Sequence, residues 1–157
     1  MSAALLFLVI RLGADRYAIE AAQVVEVVTM VRLKSLHGAP HGTAGVMNYR
    51  DEPVPVIDLN LLATGSATQA MTAARIVVVR YAPEPGRNGV VGLLVPEATQ
   101  TLRLEPDRFT DAGIKTDGSR YLGPVLTTPE GVIQLVSVSA LLTTALRDAL
   151  FPMAGNS

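Results

Sequence analysis

Residues 45–62 read GVMNYRDEPVPVIDLNLL, and this stretch decides the fold. Val46 and Met47 open an apolar strand, Asn48-Tyr49-Arg50-Asp51-Glu52 is the polar cluster of a hairpin tip, and Val54-Pro55-Val56-Ile57 resumes the apolar run. Asp58 stops that strand: its short carboxylate can accept from the free N–H groups of a following turn, whose apolar side comes from Leu59, Leu61 and Leu62. Pro53 and Pro55 cannot donate to a sheet ladder, so the second strand is expected at an edge or with those positions facing outward. A sheet edge in a small protein is a candidate docking surface.

The ordered set Gly45-Val46-x-Asn48-x-Arg50, then Pro55-Val56-Ile57-Asp58-Leu59 after four intervening residues, resembles the central motif of the CheW family, the coupling proteins of bacterial chemosensory arrays. The similarity runs from about Phe7 to about Leu150. It implies a mainly β protein of two SH3-like five-stranded barrels packed on a shared hydrophobic core. It also implies a non-enzymatic adaptor joining the cytoplasmic tip of a methyl-accepting chemoreceptor to the regulatory domain of a CheA-like histidine kinase. A cytoplasmic location at membrane-associated arrays follows from the same resemblance.

Composition agrees with one globular unit. The 157 residues suit one domain, and a hydrophobic content of 49% with mean hydropathy +0.35 argues against disorder. The longest apolar runs are strand-sized, well short of the roughly 18 residues that span a bilayer, so no membrane insertion is expected. The opening run at 3–10 has no basic segment before it and Arg11 directly after it, which reads as a first strand rather than a signal for export. Thirteen basic and fourteen acidic residues are scattered singly, so no patch is dense enough to neutralise a row of phosphates, and nucleic acid is not expected as a partner. The absence of Cys excludes disulfides, thiolate nucleophiles and zinc-thiolate sites, in keeping with a reducing compartment.

Along the chain, 5–12 reads as a buried strand turning at 13–16 into a returning strand at 17–19. Residues 21–28 place Val24, Val27 and Val28 at helical spacing, and also fit a short helical turn passing into a strand. Residues 30–36 alternate as a half-exposed strand or extended connection, 37–42 are loop, and 63–72 make a linker. A strand at 75–81, a loop at 82–88 and a return at 90–95 form the next hairpin, and 99–104 lead into a polar loop at 105–120. Val125-Leu126, the turn 129–131 and 132–136 form another hairpin. Ser137 and Ser139 offer caps to an amphipathic helix with Leu142, Leu146, Ala149 and Leu150, ended by Phe151-Pro152. The halves repeat: Tyr17-Ala18-Ile19 then Glu26 corresponds to Val91-Gly92-Leu93 then Gln100, and Asp58-Leu59-Asn60 to Ser137-Val138-Ser139. A duplicated unit of roughly 70 residues gives subdomains at about 5–66 and 73–151, and an exchange of strands between them stays open.

No catalytic set emerges. His37 and His41 are separated by Gly-Ala-Pro, which forbids the helix that would align two imidazoles on a metal. No serine has an elbow around it, Gly86-x-x-Gly89 is a hairpin tip rather than a phosphate cradle, and Asp51-Glu52 are neighbours facing water. Neither cofactor nor metal is expected. The resemblance implies a pair between Glu26, in the helical turn after the first hairpin, and Arg50, whose planar fork suits a two-bond grip on a carboxylate. It places Val24, Val27, Val46 and Met47 around the inter-barrel groove that engages receptor tips, with Asn48 in the motif beside them. The chain departs from the family pattern at Asp51, where Gly is usual, and at Thr43, Pro53 and Pro96. These departures leave the fold expectation intact and keep open, as an alternative, a diverged scaffold of a non-flagellar pathway, with or without receptor binding. A small ligand-binding barrel is a further alternative.

Overall fold

The structure, a computed structural model, describes residues 3–111 and 121–151. Ten strands and two short helices follow in the order β1 (Leu5–Leu12), β2 (Asp15–Glu20), β3 (Val24–Thr29), β4 (Thr43–Tyr49), β5 (Glu52–Asp58), α1 (Leu59–Thr64), β6 (Arg75–Glu84), β7 (Arg87–Val95), β8 (Glu97–Leu104), β9 (Leu122–Thr128), β10 (Gly131–Val136) and α2 (Thr144–Leu150). They form two five-stranded sheets, a first in the order β8-β1-β2-β10-β9 and a second in the order β3-β6-β7-β5-β4. The two orders are one pattern written twice. In each, a tight hairpin lies at the centre, and the sheet's single parallel pairing joins its second strand to β10 or β5.

The register carries the duplication down to single rungs. Ala18 lies opposite Leu135, and Gly92 opposite Val56, so the segments matched in the sequence occupy matching places. Glu26 pairs with Val78 after a bulge that skips Val25; Gln100 pairs with Val9 beside a bulge that skips Thr99. Neither sheet is a contiguous half of the chain: the β1–β2 hairpin joins β8, β9 and β10, and the β6–β7 hairpin joins β3, β4 and β5. The sequence halves at 5–66 and 73–151 therefore interleave in space.

That interleaving explains the unbroken apolar runs, because the central hairpins are buried on both faces. On β1, Leu8, Ile10 and Leu12 enter the core between the sheets while Phe7 fills the first sheet's own interior with Ala18 and Ile133. On β6, Val77, Val79 and Tyr81 enter the shared core while Ile76 and Val78 join Met47, Val54 and Leu94 inside the second sheet. Each fully buried Val, Leu or Ile contributes about 1.5–3 kcal/mol, whereas an exposed ion pair contributes about 0–1 kcal/mol, so the shared core is what holds the sheets together.

Asp58 caps α1 as its position suggests. Its Oδ1 accepts from the Leu61 N–H at 3.1 Å and the Thr68 hydroxyl at 2.7 Å, and its Oδ2 from the Thr68 N–H at 2.8 Å. Asn60, also buried, accepts from the Gly13 N–H at 2.8 Å and donates to the Ser66 carbonyl at 2.8 Å. It thus ties the β1–β2 turn of one sheet to the helix that follows the other. Pro53 and Pro55 lie in the part of β5 that pairs only with β4; pairing to β7 begins at Val56. The edge strand is β4, and β5 tolerates both prolines because they precede its second neighbour.

The mixed reading of residues 21–28 holds: a single 3-10 turn at Ala21–Gln23 passes into the strand Val24–Thr29, since β-branched valines pack better on a pleated sheet than in a helix. Other expectations are corrected. Glu26 consequently stands on a strand and not in a helical turn. The expected loop at 82–88 shrinks to Pro85-Gly86, with β6 and β7 running on to Glu84 and from Arg87. Residues 99–104 belong to β8, at the first sheet's edge. The last helix is only α2, capped by the Thr143 side chain at the Leu146 N–H. Ser137 instead precedes a 3-10 turn at Val138–Ala140 and makes no capping bond. Leu142 is buried outside the helix and Ala149 faces solvent. The expected linker begins with the last turn of α1, closed by left-handed Gly65. Of the expected polar loop, 112–120 lie outside the described residues, as does Pro152. Among the described residues no helix is long and apolar enough to cross a membrane.

Candidate protein-docking site

The β4–β5 tip is a two-residue turn with both residues left-handed, Arg50 at φ 52° and Asp51 at φ 65°. Asp51 therefore adopts the conformation for which glycine is the usual choice. Asn48 braces it by accepting from the Asp51 N–H at 2.9 Å, so this motif asparagine acts first within its own hairpin. The turn aims Arg50 back over the sheet, where its Nη2 donates to Glu26 Oε1 at 2.9 Å. The pair expected from the sequence is formed, but without a two-pronged grip. The Tyr49 hydroxyl donates to the same Oε1 at 2.6 Å, and the Arg50 guanidinium lies 5.1 Å from the Tyr49 ring centroid. Donating to Glu26 pushes the Tyr49 pKa above the ordinary 10.0, desolvation adds to the rise, and the Arg50 charge opposes it.

This cluster spans β3 and β4, the two edges of the second sheet, which have no ladder between them. It therefore draws the sheet toward closure and leaves a charged face outside, with the Arg50 side chain 72% and the Glu26 side chain 40% exposed. Tyr49 was not anticipated. Its signal was its place between Asn48 and Arg50, but hydroxyl pairing across sheet edges has no local pattern.

An open groove of about 790 Å³ runs where the sheets meet. Gln23 and Val25 line it from the β3 side, Arg80, Tyr81 and Val90 from the β6–β7 hairpin, and Ser139 from the turn after β10. The four apolar residues expected around the groove do not line it. Val24 packs against the shared core, Val27 is 39% exposed, and Met47 is 2% exposed inside the second sheet, reaching only the floor of a separate depression. Val46 borders that depression beside Lys34, Asp51 and Pro53. For Val24 and Val27 the cause is the bulge at Val25, which shifts by one residue which side chains of β3 face the groove, whereas Val46 and Met47 stand on β4, at the opposite edge of the sheet.

His37 and His41 are both exposed in the loop before β4. Among the described residues, no group of three or more His, Asp or Glu side chains is arranged to hold a metal ion. The Thr43 hydroxyl is buried with no hydrogen-bond partner among the described residues, at the position where a bulky apolar residue was expected. Pro96 sits between β7 and β8.

No curated protein matches the sequence. Among solved structures, the chain is similar to the scaffolding protein TtCheW from Thermoanaerobacter tengcongensis, with a TM-score of 0.77 and 20% identity over 91% of this chain and 90% of that one. At that identity the likeness speaks for the fold. The family model described as the CheW-like domain matches residues 6–146, nearly the whole chain. With its two-sheet architecture, Asn48-x-Arg50 tip and Asp58 cap, the chain belongs to the CheW-like family of chemotaxis scaffolding adaptors.

Proposed function

We propose that this protein couples a chemoreceptor to a CheA-like histidine kinase without chemistry of its own. The observation that carries the reading is the groove at the junction of the sheets, built from β3, the β6–β7 hairpin and the turn after β10. A partner seated there touches β3, β6 and β7 of the second sheet together with the turn that follows β10 of the first, and so can report on how the two sheets sit together. The groove takes a helix of the receptor tip, a recurrent mode of recognition, and the exposed sheet edges take the regulatory domain of the kinase. The surface carrying Glu26, Asn48 and Arg50, with Val27 exposed nearby on β3, orients one of these contacts. Such interfaces can be small, since many copies in an array supply avidity. The site of action is cytoplasmic, at membrane-associated arrays.

The test is binding of the purified protein to receptor-tip fragments and kinase regulatory domains from the same genome, with Glu26→Arg and Arg50→Glu in parallel. Both charge reversals are expected to weaken one partner and leave the melting temperature nearly unchanged, because the pair is exposed. Loss of folding in both would mark the pair as structural. Kinase binding without any receptor binding would favour the diverged scaffold.

A further inference from the structure

Among the described residues, Arg80 is the one charged residue lining the groove. Its backbone is fixed opposite Val90 in the β6–β7 ladder, and its side chain is fixed by Nη1, which donates to the Ala22 carbonyl at 2.7 Å. A carbonyl orients a guanidinium without neutralising it. Among the described residues no carboxylate lies within ion-pair distance of Arg80, a state it shares with Arg32, Arg75, Arg103 and Arg108; what sets Arg80 apart is that it lines the groove. The groove therefore presents a positioned cation whose remaining donors face solvent with no partner among the described residues, beside the apolar surface of Val25 and Val90.

A helix docking over this wall removes water from the guanidinium. A desolvated cation left without an acceptor opposes binding, and a lysine or arginine facing it opposes binding further. A carboxylate is the acceptor that matches both the charge and the fork. We propose that Arg80 determines the specificity of the groove, and that its occupant is a helix carrying an Asp or Glu at the edge of its apolar face, opposite Arg80. This assignment rests on the reading of the groove as the receptor contact and names the chemistry the receptor helix must carry.

The experiment is calorimetric titration of the full chain with receptor-tip fragments from the same genome, for wild type, Arg80→Lys, Arg80→Gln and Arg80→Glu, at low and high salt. Arg80→Gln is expected to weaken tip binding about tenfold or more, the scale of a charge-assisted hydrogen bond. Arg80→Glu should weaken it further and Arg80→Lys less. A tip fragment with its acidic residue changed to Lys should recover binding to Arg80→Glu, and affinity for the kinase regulatory domain should not change. Tip binding by Arg80→Glu equal to wild type overturns the proposal, as does loss of tip and kinase binding together. A wild-type protein that binds the kinase and no tip fragment overturns the receptor reading of the groove, and this assignment with it.

Discussion

Replacing Gly45 by alanine tests why the central motif begins with glycine. Gly45 has φ +146°, and a Cβ there would lie 2.5 Å from the Lys34 carbonyl oxygen and 3.2 Å from its carbonyl carbon. That carbonyl cannot simply retreat. It accepts from the Val46 N–H at 2.9 Å while the Lys34 N–H donates to the Val46 carbonyl at 2.8 Å, a bridge that holds the approach to β4 against its outer edge. A side chain forced into this backbone region costs about 1–3 kcal/mol. Relieving the clash by moving Lys34 gives up two hydrogen bonds at about 0.5–1.5 kcal/mol each. The chain will take the cheaper mixture, about 3 kcal/mol in all, which lowers the melting midpoint of a protein this size by about 6–12 °C. Urea unfolding, with midpoint and slope both fitted, should be run beside Gly86→Ala. Gly86 is also left-handed, at φ +82°, but a Cβ there meets nothing within 4 Å, so that variant carries the backbone cost without the collision. If Gly45→Ala is no more destabilising than Gly86→Ala, the close approach of Lys34 is not what requires glycine.

Asn60→Ala leaves the Gly13 N–H and the Ser66 carbonyl without their partner, and should cost about 2–4 kcal/mol in urea unfolding. A loss below about 1 kcal/mol would show that water replaces both bonds. Thr43→Val removes a buried hydroxyl that has no partner among the described residues, and should stabilise by about 1 kcal/mol; a destabilised variant would show that the hydroxyl is satisfied. Burial pushes the pKa of Tyr17, Tyr81 and Tyr121 above 10.0, and the hydrogen bond to Glu26 does so for Tyr49. The folded protein then holds these protons more tightly than the unfolded chain. Their contribution to stability is fully present below pH 10.0 and is lost as pH rises through the folded values, seen as falling denaturant midpoints in that range. Midpoints that stay level or rise above pH 10.0, where tyrosinate absorbance appears, would contradict those shifts.

The duplication was legible because it is written in short-range patterns. The match of Glu26 to Gln100, and of Asp58 to Ser137, reappears as equal places in two sheets of one strand order. The partnering of hairpins was not legible. Strands β1 and β6 look alike in sequence, and nothing local says that each central hairpin leaves its own half, because that choice is made by long-range burial on both faces. The final helix was over-extended for a related reason: Leu142 has the spacing of Leu146 and Leu150, yet its burial is met by a bend before Thr143 begins the helix. The Glu26–Arg50 pair was readable through the motif. Tyr49, Val25 and Arg80 were not, since a bulge and an inter-sheet approach decide which side chains share a face.

The most direct test of the account is calorimetric titration of the protein into the regulatory domain of each CheA-like kinase encoded by the same genome, with Arg50→Glu in parallel. The account predicts micromolar binding to one of them, weakened in the variant while its melting temperature stays near wild type. A folded wild-type protein that binds none of them would contradict kinase coupling.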